Sequence, residues 1–153
     1  MTTHLSSPKD LLALAEAQPH FGHSTWHQIT QEQVNLFAEA TGDHQWIHVD
    51  PERGRTGPFG TTIAHGYLTL SLAPVFLTEI LQVDNVQMAL NYGLNKVRFP
   101  APVPVGSRVR ASLQLVSAQE RSGGAIEAAL QMTCEVEGSE RPACVAELVV
   151  LYR

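Results

Sequence analysis

Two runs in the C-terminal third of the chain alternate with a period of two. Val109, Ala111, Leu113 and Leu115 share one parity against Arg108, Arg110, Ser112 and Gln114. Ile126, Ala128, Leu130, Met132, Cys134 and Val136 repeat the rule against Glu127, Gln131, Thr133, Glu135 and Glu137. A period of two belongs to strands with one buried and one wetted face. Gly123-Gly124 and Gly138-Ser139 supply the turns, so the segments form an antiparallel meander that ends in a strand from Cys144 to Tyr152. The apolar face of such a sheet needs a cover. Ala64 to Leu81 offers one: Tyr67, Leu68, Leu70, Leu72, Val75, Phe76, Leu77 and Ile80 make the segment apolar on nearly every face, which predicts a helix wrapped by other elements and bent at Pro74.

The N-terminal half is punctuated differently. Ser7-Pro8 opens a short amphipathic helix around Leu11, Leu12 and Leu14 that ends near Gln18-Pro19, and Phe21 to Ile29 alternates as a loose strand. Thr30 and Gln33 form a capping box that starts a helix running to Ala40, which Thr41-Gly42 stops. Residues 49 to 63, with Pro51, Gly54, Gly57, Pro58 and Gly60, read as a loop, and Phe99 to Gly106 reads as a rigid proline-rich corner between two strands. Residues 1–20 are expected to be a helical extension and residues 21–153 the domain proper. Periodicity alone gives an α+β layer architecture.

A chain of 153 residues with 44% hydrophobic content can bury one core without metals or disulfides. Ten Lys and Arg residues and a net charge of −5 leave no basic stripe for a nucleic-acid backbone. The start of the chain carries no export pattern and no run has the length of a membrane span, so a cytoplasmic location without membrane contact is expected. Cys134 and Cys144 lie symmetrically about Ser139. A hairpin there opposes them on neighbouring strands, where free, buried thiols are expected because directly opposed positions rarely suit a relaxed disulfide.

The chemistry concentrates in one quarter of the chain. Asp43 and His48 stand five positions apart just after a predicted helix, and His65-Gly66 follows at the start of the apolar helix. A carboxylate and an imidazole can share one water, and a bare glycine amide can face a developing negative oxygen. Taken singly, Asp43 reads as a turn residue and His48 as a solvated loop residue; together they point to proton transfer beside a carbonyl. Metal binding is not expected. His23 and His27 fall on one strand about 13 Å apart, and His44/His48 lacks a third ligand.

Gly42, Asp43 and His48, with His65 and Gly66 further on, resemble the signature of the MaoC-like dehydratases, the (R)-specific enoyl-CoA hydratases also called hydratase 2. Gln45 and Trp46 replace the family's usual Asn and Pro, and the runs Phe37–Leu72 and Asn91–Arg110 look most like its NodN-like branch. The resemblance implies a hotdog fold, in which a curled antiparallel sheet wraps a long central helix, and a homodimer. It implies reversible hydration of enoyl thioesters, CoA-linked or borne on acyl carrier protein, without a cofactor. Asp43 and His48 would grip the water, and the Gly66 amide would hold the thioester oxygen. His65 is read as mainly structural, bonding the loop of Asp43. Gln45 either orients that loop or is solvated, and Trp46 either closes an acyl tunnel or packs under the loop. Arg53 and Arg55, with Lys96 and Arg98, are the candidates for CoA phosphates. A hotdog thioesterase and a non-catalytic acyl-CoA-binding protein are the alternatives, and the paired Asp43 and His48 argue against the first.

Overall fold

The computed structural model describes residues 1–153. In chain order it contains β1 (Thr3–Leu5), α1 (Lys9–Leu14), β2 (His20–His23), β3 (His27–Gln28), α2 (Gln31–Thr41), α3 (Trp46–Val49) and α4 (Pro51–Arg55). There follow α5 (Gly66–Ser71), α6 (Ala73–Ile80), β4 (Leu81–Val83), β5 (Ala89–Arg98), β6 (Arg108–Glu120), β7 (Ile126–Val136) and β8 (Cys144–Tyr152). The main sheet is antiparallel throughout, ordered β2-β6-β7-β8-β5, with β3 also on β6. A separate parallel pair joins β1 to β4.

The alternation sets the register. Leu113 faces Met132 and Leu130 faces Leu148, so one face of β6, β7 and β8 collects Val109, Ala111, Leu115, Ile126, Ala128, Cys134 and Val136 in the core. Gly123, Gly124 and Gly138 take positive φ at the two turns, a conformation that costs glycine little. Leu68, Ala73, Phe76 and Ile80 of α5 and α6 cover this face, and Leu5, Leu11 and Val34 close its margins in the same cluster. No helix is long and apolar enough to cross a membrane.

Several expectations need correction. The central helix is two helices: Leu72 sits at φ −78° and ψ −6° between them, and Pro74 falls in the first turn of α6, where its missing N–H is no loss. Nor is it wrapped on every side, since Tyr67 is 70% and Val75 41% exposed. The stretch from 49 to 63 is partly helical. Asp50 caps α4 by accepting from the Arg53 amide at 3.1 Å, and Pro51 stands at the first helical position, a helix-start signal that outweighs the later glycines. Helix α1 stops at Leu14. The loose strand from Phe21 to Ile29 breaks into β2 and β3 because the Ser24 hydroxyl, not a backbone carbonyl, accepts from the Ala111 amide at 3.0 Å.

Candidate active site

The end of α2 aims the first functional residue. The Thr30 hydroxyl caps the helix through the Gln33 amide, and Gly42 at φ 84° turns the chain out of it, its N–H bonding Ala38 O at 2.8 Å. Asp43 is exposed just beyond, and its Oδ1 accepts weakly from the Gln45 amide at 3.3 Å. The chain then winds into α3, which carries His48 inward. Ile63 runs beside this turn, its N–H on Ile47 O at 2.9 Å.

Two buried imidazoles meet there. His48 Nδ1 lies 2.7 Å from Ile63 O, and His65 Nε2 lies 2.9 Å from Asp43 O. A carbonyl only accepts, so each of those nitrogens carries a proton, and the neutral His48 ring keeps its lone pair on Nε2. The second bond is the link expected between His65 and the loop of Asp43. The rings stack at 3.9 Å between centroids and 26° between planes, and Phe37 tilts against His65 from behind. One side-chain donor or acceptor atom from each of Asp43, His48 and His65 lies within 4.8 Å of the others. Burial pushes the His48 pKa below the ordinary imidazole value, the bond to Ile63 O opposes this, and neighbouring His65 adds to the lowering.

His48 and Gly66 open onto one cleft of about 260 Å³, walled by Phe59, Ile63, Phe99 and the Pro100–Val103 corner. The Gly66 N–H has no acceptor within the chain. A Cβ at this position would come within 3.2 Å of the Phe99 ring, so a side chain here would make the ring give way by a few tenths of an ångström.

The other candidates stand elsewhere. Gln45 is exposed, Trp46 packs against Gly57 with the Arg53 guanidinium stacked 4.1 Å from its ring centroid, and Arg55 pairs with Glu52 at 2.6 Å. None of these four lines the cleft, and neither do Lys96 or Arg98. Sequence reasoning missed Gln31. Its amide nitrogen donates to His48 O at 2.7 Å while its amide oxygen accepts from Thr62 Oγ1 at 2.6 Å, pinning the His48 turn to α2. A glutamine in the first turn of a helix carries no signal of such a role. Phe99 and the Ile63 carbonyl were equally silent, one being an ordinary apolar residue and the other a backbone atom.

A family model described as MaoC like domain matches residues 14–136. The chain belongs to that family. It is 61% identical over 138 residues to 3-hydroxyacyl-thioester dehydratase Z of Mycobacterium tuberculosis, covering 90% of this chain and 91% of the relative. Nodulation protein N of Rhizobium leguminosarum bv. viciae is 43% identical over 134 residues, covering 86% and 83%. Among solved structures, the (R)-hydratase from A. caviae involved in PHA biosynthesis superposes with a TM-score of 0.69 at 25% identity, covering 87% of this chain and 93% of that one. The MaoC-like hotdog fold accounts for the curled sheet and its helical cover, and the NodN relative places this member in the branch that its Phe37–Leu72 and Asn91–Arg110 runs resemble.

Proposed function

We propose that this MaoC-like protein is a hydro-lyase that reversibly adds water across the double bond of trans-2-enoyl thioesters to give (R)-3-hydroxyacyl thioesters. One observation carries the reading: His48, its proton committed to Ile63 O, offers a free Nε2 to the cleft that also holds the unpartnered Gly66 amide, with the Asp43 carboxylate beside it. The dehydratase relative and the (R)-hydratase neighbour support it. In hydration, Asp43 and His48 hold the water, and Nε2 takes its proton as the oxygen bonds to C3. The alkene electrons move onto the thioester oxygen, where the Gly66 N–H stabilises the enolate. The imidazolium then returns the proton to C2, so the atoms of one water are added and the site is restored. A donor of this kind is worth about 3 kcal/mol of barrier.

The substrate in this reading is a CoA thioester whose phosphates meet Arg53 and Arg55. Both side chains are exposed, and their present contacts with Trp46 and Glu52 are weak enough in water to exchange for phosphate. A homodimer belongs to the same reading, supported by the open edge of β5. So does a cytoplasmic location, supported by the free thiols of Cys134 and Cys144, opposed across β7 and β8. The test is to incubate the purified protein with crotonyl-CoA and octenoyl-CoA, following enoyl absorbance and free thiol together. Loss of absorbance without thiol release is expected. Thiol release makes the protein a thioesterase, and silence on both makes it an acyl-CoA binder.

A further inference from the structure

The cleft walls contain one polar side chain that the mechanism above does not use. Thr69 lies one turn along α5 from Gly66 and lines the same cleft, otherwise walled by Phe59, Ile63, Ala64, Phe99 and the proline corner. It is 2% exposed. A buried hydroxyl ordinarily finds a partner, and in helices the usual one is the carbonyl a turn back. Thr41 bonds Phe37 O, Ser71 bonds Tyr67 O and Thr78 bonds Val75 O in this way. The Thr69 hydroxyl has no partner in the chain. The carbonyl one turn back, His65 O, already accepts from the Leu68 and Thr69 amides at 3.0 and 3.2 Å.

Its oxygen is nevertheless not sealed in. His65 Nδ1 is the one fully enclosed side-chain polar atom without a partner, so the small exposure of Thr69 includes its oxygen. That opening is the cleft. Side chains of a helix lean toward its N-terminus and residues three apart share a face, which brings the Thr69 side chain over the turn that carries Gly66. We infer that the Thr69 hydroxyl donates a hydrogen bond to the thioester oxygen of the substrate beside the Gly66 N–H, a second donor to the enolate. The inference rests on the hydratase reading. Thr69 is then a catalytic residue by contact with a reacting atom, and the loss of such a contact is felt more in the transition state than in binding.

The experiment measures crotonyl-CoA hydration by the wild-type protein and by Thr69→Val, Thr69→Ala and Thr69→Ser. The expected result is a fall of about 10²-fold in kcat for the Val and Ala variants, with KM within about threefold, and recovery of most turnover by Ser. Valine conserves shape and alanine makes room, so a failure of one variant to fold leaves the other to decide. Infrared difference spectra of crotonyl-CoA bound to Asp43→Asn protein supply a readout that packing does not move. The bound carbonyl stretch lies at lower wavenumber than in solution, part of that displacement disappears when Thr69→Val is added, and Thr69→Ser restores it. Turnover of the Val or Ala variant within threefold of wild type, equal losses for Val and Ser, or a carbonyl stretch indifferent to position 69 overturns the assignment. A wild-type protein inert toward crotonyl-CoA and octenoyl-CoA overturns the hydratase reading itself, and that outcome is seen before any variant is made.

Discussion

Because His48 is buried beside His65, the neutral ring is the form the fold favours although the Ile63 carbonyl on Nδ1 pulls the other way, and that is the form a general base needs. Activity should therefore fall on acidification with a midpoint below the ordinary imidazole value of 6.5, read from kcat/KM against pH. The stability linkage has the same sign. A group whose folded pKa is depressed contributes stability that is complete above its unfolded value and is lost as pH falls through the folded one. An acid midpoint at or above 6.5 would separate His48 from the rate-determining proton. Asp43→Asn and His48→Ala should each lower hydratase turnover by at least about 100-fold with unchanged circular dichroism, and near wild-type turnover in either would remove that residue from the mechanism. Asp43, His48, His65 and Gly66 were legible in the sequence because a motif fixes their spacing. Gln31 was not, because its partners, His48 O and Thr62 Oγ1, lie 17 and 31 positions away and only the folded turn brings them to it.

Among elements, legibility followed periodicity. The register of β6 over Arg108–Leu115 and of β7 was readable, since a slip of one position would have turned every core side chain to water, but the continuation of β6 to Glu120 past the bulge between Leu115 and Ser117 was not. Helices α3 and α4 were not, because their four and five residues are shorter than any periodic window; α3 starts at Gln45 without a side-chain cap, and only α4 carries an Asp-Pro start. Helix α4 is also fixed from behind. A Cβ on Gly54 would lie 2.8 Å from the Thr62 backbone nitrogen, so Gly54→Ala should cost roughly 1–3 kcal/mol by overpacking, measured by denaturant unfolding, and should disturb the segment that leads to His65. The β7–β8 hairpin offers a separate check. Cys134 and Cys144 are paired positions with thiol pKa values pushed by burial to about 12 and about 11. Native protein at pH 8 should resist thiol reagents, and the denatured, unreduced protein should return two reactive groups per chain; a count near zero would mean that the hairpin carries a disulfide.

At the scale of the molecule, the outstanding feature is strand β5. It pairs with β8 along one side only, and nine of its ten residues are exposed, Val97 alone being half-buried. Leu90, Tyr92 and Leu94 are all open to water, as are Tyr67 and Val75 on the helices. A long edge of this kind, without proline and with a single lysine, invites another strand, and natural proteins seldom leave one uncovered. Pairing of β5 with β5 of a second copy satisfies both edges by one twofold operation, since an antiparallel strand pair is self-complementary. The proposed homodimer follows from this symmetry, and it predicts more than a mass. Sedimentation at micromolar concentration should give a dimer, and Tyr92→Lys with Leu94→Lys should shift it toward monomer by placing like charges across the twofold axis. Crotonyl-CoA turnover should fall with the dimer fraction if the partner completes the cleft. A wild-type monomer with full turnover would show instead that one chain suffices for the chemistry and that the β5 edge serves another purpose.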